Sequence, residues 1–422
     1  MNGRKPLKLD EIIELFDFDE KKIIRDIFYL KEQGYIEEIS EFASNQKRPS
    51  EDKVSKMSEL FKYKVIETKD SYKVNYFEPV SLINDSGICC HCGLCSTICP
   101  LDCIDQSKNY LYLDEEMCIK CGLCYSVCPN SFPFEKIYNH LKKSKSAINY
   151  SENFGLFKNI YSARTLIEKL REKGQDGGVV TSLLYYLLDK NIVDAVITTR
   201  HSENLWIPKF EIIEDKNDLY KTAGRIYAHY PILSKLYETK KYERIAIVAL
   251  PCSIKALAKS SLFPIKFPFF KNIKYKIGLF CIEAFPYENI SYLIQNKFNV
   301  EIDEIIKMKI YKGRFFITLD TGEESSIPFN ECDPYGYKYC HYCDDLTAEL
   351  ADISIGSIGS KIGWSSVITR NKKGEEIFNG AIKEGLIENK ALIDVKTCHS
   401  VIEKIAEQKR NKCITIELHK IQ

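Results

Sequence analysis

Two runs of cysteines have a spacing that can do chemistry. Cys89, Cys92, Cys95 and Cys99 are followed by Pro100, and Cys118, Cys121, Cys124 and Cys128 by Pro129, so C-x2-C-x2-C-x3-C-P occurs twice in close succession. In such a run three thiolates of a tight loop reach three irons of one four-iron cube. The fourth cysteine lies on the following helical turn and faces the neighbouring cube. This assigns Cys89, Cys92, Cys95 and Cys128 to one [4Fe–4S] cluster, and Cys118, Cys121, Cys124 and Cys99 to a second. Gly93 and Gly122 are expected to bend the backbone toward the sulfurs. Zinc is the competing reading, but it takes four ligands per ion, usually as two separated pairs. Two unbroken quartets fit it poorly. Cys90 and Cys103 fall outside the pattern and read as spectators. Cubes move one electron at a time, so the pair is a short wire and not a reaction centre.

Further thiols and small residues follow. Gly174-Gln175-Asp176-Gly177-Gly178 precedes a helical pattern with apolar Val179, Val180, Leu183, Leu184, Leu187 and Leu188. Glycines at a helix start let a ligand approach free N–H groups, where the helix dipole favours phosphate; a plain turn is the alternative. Neither G-x-G-x-x-G nor a Walker A sequence is present, so no standard dinucleotide or P-loop site is expected. The apolar runs Arg244–Leu250 and Lys276–Phe280 read as strands, and Cys252 and Cys281 stand at their carboxyl ends, where open α/β sheets bind ligands. Cys340 and Cys343 form a C-x2-C pair. Together these are four thiols, the number one cube takes. Small buried hydrophobes, a zinc half-site and a redox pair are the other readings. Gly356, Ser357, Gly359 and Ser360 form a low wall suited to a flat ring stacked on backbone, or simply a tight loop.

The elements that must position these residues set the architecture. The chain has 422 residues, too many for one ordinary domain. Its 45% hydrophobic and 28% charged residues indicate globular bulk, and a net charge of +1 gives no global pull toward nucleic acid or anionic membrane. The opening residues have no apolar export signal, and no run reaches the ~20 residues of a membrane span. The 17 cysteines are therefore expected as reduced, metal-binding thiols in a cytoplasmic protein. Residues 1–80 read helix, turn, helix, turn, strand, with helical periodicity at 10–16 and 20–30 and a strand at 35–39. That order is winged-helix-like. The segment is slightly acidic, which favours docking to a protein over reading DNA. Residues 41–56 read as a polar loop and 134–161 as a linker. From about Ser162 onward helical and strand patterns alternate, as in an α/β domain.

Several motifs in this half agree in order with one family. Gly174-Gln175-Asp176-Gly177-Gly178-Val179-Val180, Leu250-Pro251-Cys252, Gly278 to Tyr287, Lys307-Met308, and Cys340 through Asp352 to Ile368 resemble the coenzyme F420 hydrogenase/dehydrogenase beta-subunit family. The resemblance spans about Ser162 to Glu388. It implies FAD, a third [4Fe–4S] cluster on Cys252, Cys281, Cys340 and Cys343, and hydride exchange between F420 and the flavin. Flavin contacts are then expected from Gln175, Asp176, Gly177, Gly178, Gly224, Arg225, Gly356, Ser357, Gly359 and Ser360. Two stretches depart from the family. Ala223-Gly224-Arg225-Ile226-Tyr227-Ala228 stands where Ala-Gly-Thr-Lys-Tyr-Thr is usual, and Ser360-Lys361 replaces Ser-Pro. The expected fold is multidomain, α+β and α/β. It comprises the winged-helix-like segment (1–80), a bacterial-type 2[4Fe–4S] ferredoxin module (84–133) and an α/β flavin-binding catalytic domain (160–422). The expected activity is an F420-dependent oxidoreductase passing electrons to or from a protein redox partner or complex subunit, with no catalytic acid or base named. A flavin reductase of another organic substrate and a redox-sensing DNA-binding regulator are the alternatives.

Overall fold

Ile245-Ala246-Ile247-Val248-Ala249 has no polar side chain on either side, which marks a strand covered on both faces. In the computed structural model it is an inner strand of an eight-stranded mixed sheet. The strands are β1 (Asn159–Thr165), β2 (Ala195–His201), β3 (Pro208–Ile213), β4 (Ile245–Ala249), β5 (Ile273–Leu279), β6 (Ile353–Gly356), β7 (Ser365–Thr369) and β8 (Ile387–Asn389). They lie in the order β3-β2-β4-β5-β6-β7-β1-β8. β2, β4, β5 and β6 are parallel, so their carboxyl ends meet along one edge. The outer pairings are antiparallel. The structure describes residues 80–413 apart from 107–109, 119–121, 132–148, 175, 203–205, 225, 263–267 and 391, together with the short strands 36–38, 63–66 and 73–74.

Successive residues of β4 feed different cores. Ala246 and Val248 join Leu183, Leu187 and Phe378 on one face. Ile245, Ile247 and Ala249 face the other core, which also contains Leu94, Ile98, Leu123 and Val127 of the cysteine-rich module. The module is thus seated on the sheet domain. Its two short helices, α1 (Leu94–Ile98) and α2 (Leu123–Val127), explain how. Residues four apart share a helix face. In α1, Leu94 and Ile98 point to the sheet while Cys95 and, just past its end, Cys99 point into the module. In α2, Leu123 and Val127 do the first job, and Cys124 and Cys128 the second. Gly93 and Gly122 precede these helices with φ of 90° and 73°, the left-handed turn expected of them.

A three-stranded antiparallel sheet (Ile305–Tyr311, Arg314–Leu319, Glu324–Pro328) carries a separate core under Trp206, Tyr227 and Phe285. Arg370 is fully buried and ties the linker region to the sheet. Its guanidinium donates to Phe154 O (2.6 Å), Leu156 O (3.0 Å), Thr347 O (3.1 Å), Thr347 Oγ1 (2.7 Å) and Ser354 Oγ (3.0 Å). Within the expected linker, Asn149–Ser151 pairs with Gly155–Phe157 as a hairpin. Ahead of the module, Ile36–Glu38, Tyr63–Ile66 and Lys73–Val74 form a three-stranded antiparallel sheet. The helices expected at 10–16 and 20–30 lie outside the described residues, so of the winged-helix-like unit only this sheet is described. Among the described residues no helix is long and apolar enough to cross a membrane.

Candidate functional site

The carboxyl ends of the parallel strands open into a cavity of about 310 Å³. Thr198 and Thr199 of β2, Leu250 after β4, Phe280 and Cys281 after β5, and Gly356 and Ser357 from β6 line it. Two helices begin at its wall. α3 (Val179–Asp189) starts after Gly178, which takes φ 65° and offers no side-chain cap, so the first N–H groups of the helix stay open to a ligand. α4 (Pro251–Leu262) starts directly after β4. Both helix starts place partial positive charge at the cavity. On α4, Ser253 is wholly buried, lines the cavity, and its Oγ has no hydrogen-bond partner. A buried hydroxyl left unpaired is costly unless a ligand meets it.

The residues expected to contact a flavin are placed unevenly. Asp176, Gly178, Gly224, Gly356 and Ser357 line the cavity. Gly177 supports its wall: an added Cβ would lie 2.6 Å from both Ala163 O and Ser365 N, so only glycine lets the loop pass between β1 and β7. Gly359 and Ser360 sit off the cavity. A Cβ on Gly359 would be 2.7 Å from Cys398 O, and Ser360 Oγ bonds Ser162 Oγ and Ser366 Oγ at 2.9 Å. They close the loop against α6 (Leu392–Lys412), numbered after α5 (Lys372–Lys383). Gln175 and Arg225 lie outside the described residues. Sequence reasoning passed over Ser253, Tyr227, His229 and Glu283, all of which line the cavity. The Glu283 carboxyl is raised to about 8, by burial first and the nearby Asp333 second, so it is mainly protonated at neutral pH.

The four thiols from the sheet domain come together behind the cavity. Burial pushes the Cys281 thiol well up, and Cys340, Cys252 and Cys343 all add to that, while Lys409 opposes it. Burial likewise raises Cys340 to about 12. Cys343 Sγ faces Asp345 O at 3.8 Å, and Cys340 Sγ faces Ala284 O at 3.9 Å. The Cys281 residue belongs to the cavity wall itself. Among the described residues no three His, Cys, Asp or Glu side chains close on one point as ligands of a single ion. A cube instead takes one thiolate at each of four irons.

This set adjoins the cysteine-rich module. The thiols of Cys128, Cys92 and Cys252 all raise that of Cys89, after burial as the main cause. Burial and then Cys92, Cys89, Cys124 and Cys128 raise Cys95. Burial lifts Cys128 to about 11. The Cys281 set thus adjoins Cys89 by way of Cys252; Cys89, Cys92, Cys95 and Cys128 adjoin one another and Cys124; and Cys99 and Cys118 meet at Cys103. Cys121 lies outside the described residues. The two cysteines read as spectators are inside this array. The free Cys90 thiol is within hydrogen-bonding reach of those of Cys252 and Cys92, and its hydrogen bond is the first cause of a lowered Cys252. Cys103 Sγ is 3.3 Å from Cys99 Sγ. His229 adds a second join, its Nε2 2.9 Å from His91 O, with Tyr337 stacked beside His91 at 4.7 Å.

Comparison with known proteins identifies the family of the chain. Residues 160–237 and 242–395 match the N-terminal and C-terminal parts of the coenzyme F420 hydrogenase/dehydrogenase beta subunit, and residues 111–133 match a 4Fe-4S binding domain. The coenzyme F420 hydrogenase subunit beta of Methanosarcina barkeri is 31% identical over 61% of this chain and 90% of its own length. The coenzyme F420-dependent sulfite reductase of Methanocaldococcus jannaschii is 32% identical over 72% of this chain, which spans 48% of that protein. A chain of the F420-reducing [NiFe] hydrogenase complex from Methanosarcina barkeri superimposes with a TM-score of 0.60 at 30% identity, over 63% of this chain and 92% of that one. The chain belongs to the coenzyme F420 hydrogenase/dehydrogenase beta-subunit family of F420-dependent oxidoreductases, with an iron–sulfur domain ahead of the family region.

Proposed function

We propose that the chain exchanges hydride between reduced coenzyme F420 and an FAD held in the cavity, and passes single electrons through three [4Fe–4S] clusters to or from a protein partner. The observation that carries this is the unbroken order of cavity, sheet-domain thiols and module thiols. Cys281 belongs at once to the cavity wall and to the four-thiol set, and Cys90 links that set to the next.

The cavity suits a phosphate-bearing ligand. Two helix starts converge on it, and the orphaned Ser253 Oγ is available to the ligand. When bound, the flavin supplies the conversion between paired and single electrons that cubes lack. Asp176, Gly178 and Gly224 would hold its polar arm, and Gly356 and Ser357 would border its ring. Cys252, Cys281, Cys340 and Cys343 would hold the third cluster, and the eight module cysteines the other two. The partner is expected to be another subunit, as it is in the hydrogenase complex to which the chain is similar.

The test is iron content with spectroscopy. Anaerobically reconstituted protein is expected to hold about twelve irons. Cys343→Ala should remove about four and keep the module's EPR signals, and Cys332→Ala should remove none. About eight irons in the parent protein, or no loss in Cys343→Ala, would remove the third cluster from this reading. Stopped-flow reduction by F420H2, and not by NADH or NADPH, tests the donor. Equal bleaching by a nicotinamide would overturn it.

A further inference from the structure

Three lysines of the sheet domain are turned inward around these thiols, and among the described residues only Lys255 of the three is ion-paired to a carboxylate. Lys255 of α4 is buried and bonds Asp344 Oδ1 at 2.9 Å. Lys259, one turn on, is 3% exposed. Its Nζ donates to Cys128 O at 2.7 Å, to Ser131 O at 3.1 Å and to Ser131 Oγ. Lys409, from the last turn of α6, donates to Cys281 O at 2.7 Å and Asp345 O at 3.1 Å. Its ammonium lies among Cys343, Cys281 and Cys340, and the side chains of Asp345 and Glu283 are also in range, with the residue as a whole half-buried. The hydrogen-bond partners described for Lys259 and Lys409 are all neutral oxygens.

A buried ammonium without a counter-charge is expensive. Carbonyls satisfy its hydrogen bonds but not its charge. For Lys259 the one charge partner described is Cys128, and for Lys409 the three thiols outweigh Asp345, so the balancing negative charge is explained by what the adjacent thiolates would hold. We propose that Lys259 and Lys409 are the counter-cations of two clusters, Lys259 for the one on Cys89, Cys92, Cys95 and Cys128, and Lys409 for the one on Cys252, Cys281, Cys340 and Cys343. Reduction adds one electron, and hence one negative charge, to a cluster. A fixed cation beside it favours the reduced form and raises its potential. The two clusters nearest the cavity are then the favoured places for the two electrons of one hydride, ahead of the cluster on Cys99, Cys118, Cys121 and Cys124. Lys255 is already neutralised by Asp344 and is not part of the device. Lys409 lies beyond the family-matched residues 242–395, so this charge is supplied by the chain's own C-terminal helix.

The Lys409 half rests on the three-cluster reading; the Lys259 half needs only the module. The experiment is an EPR-monitored redox titration, with dithionite and mediators, of reconstituted full-length protein, Lys259→Met, Lys409→Met and the charge-keeping Lys259→Arg. At a fixed potential, Lys259→Met should lower the reduced-to-oxidised ratio of its own cluster roughly tenfold, a shift of about 59 mV downward. The other signals should stay in place, and Lys259→Arg should restore most of the shift. Lys409→Met should do the same to the signal that Cys343→Ala removes. An unmoved potential, an equal shift in every cluster, or loss of four irons from a methionine variant overturns the proposal. In the last case the lysine holds the fold together and does not tune a cluster. A parent protein with only about eight irons would remove the third cluster and the Lys409 half, while leaving the Lys259 measurement decisive for its own cluster.

Discussion

Substituting Gly93 by alanine tests whether the cysteine-rich module and the sheet domain are one structural unit. Gly93 has φ 90°, and an added Cβ would lie 2.4 Å from Ser234 N, 2.6 Å from Pro231 O and 2.9 Å from Ser234 Cβ. Two of these atoms are backbone, so the 231–234 turn must withdraw. The left-handed conformation alone costs an alanine about 1–2 kcal/mol, and forcing an atom into a packed contact adds about 1–3 kcal/mol. Withdrawal also strains the bonds from Leu233 N to Cys92 O (3.0 Å) and from Thr97 Oγ1 to Leu233 O (2.5 Å), each worth about 1 kcal/mol. With both bonds lost the cost is about 4–7 kcal/mol, a large part of an ordinary folding free energy. Gly322 is the control: its φ is 86° and nothing lies within 4 Å of a Cβ there, so Gly322→Ala should cost only about 1–2 kcal/mol. Denaturant unfolding of the two variants under anaerobic conditions, with iron counted after desalting, separates them. Gly93→Ala should unfold earlier and lose module iron. Equal costs in the two variants would show that the module does not depend on the 231–234 turn, and the argument for a shared unit would fail.

Other expectations follow from single residues. Ser253→Ala removes an unpaired buried hydroxyl, so it should leave stability unchanged or slightly raised while weakening flavin retention several-fold, measured by ultrafiltration. Glu283 keeps its proton up to about 8 in the folded chain, whereas an unfolded glutamate loses it near 4.5. Ionisation between those values therefore favours the unfolded chain, so stability should fall as pH rises from about 4.5 to about 8. Glu283→Gln should flatten that slope in denaturant melts taken across the range. Arg370→Met strips donors from Phe154 O, Leu156 O and Thr347 O and should cost at least about 3 kcal/mol in the same assay. Deleting residues 1–56 should leave F420H2–dye activity intact and weaken coupling to the native partner; tight duplex-DNA binding by that segment would argue for the regulator reading instead.

Much of the site was legible because its signals are local. Cysteine spacing, apolar runs at β4 and β5, and glycines before Val179 each report on neighbours in sequence. What local pattern cannot report is which distant backbone presses on a residue. Nothing beside Gly359 and Ser360 in sequence announces that Cys398, Ser162 and Ser366 pack against them. Ser253 and Glu283 look ordinary beside their cysteines, and only burial without partners distinguishes the one and a raised carboxyl pKa the other. Cys90 breaks the spacing rule, yet the close approach of Cys252 puts it at the join between two thiol sets. Lys259 and Lys409 carry no motif at all.

The repeat in the module does two jobs, and the fold explains why both must lie in the same residues. Leu94-Cys95-Ser96-Thr97-Ile98-Cys99 and Leu123-Cys124-Tyr125-Ser126-Val127-Cys128 each set a pair of apolar side chains and a pair of thiols one position apart at helical spacing. One position is about 100° of helix rotation, so the two pairs face different directions from the same turn. The apolar pair enters the core shared with β4 and the thiol pair enters the module. The position of the thiols is therefore set by packing against the sheet domain and not by a tether. A flexible linker would let the spacing between the cavity and the module fluctuate. A shared core, with Lys259 reaching from α4 to Cys128 O at 2.7 Å and Leu233 N bonded to Cys92 O, fixes it. Electron transfer between neighbouring centres requires that they stay close. On the proposed function, the residues that hold the module to the sheet would therefore serve the electron path, although none of them would carry an electron.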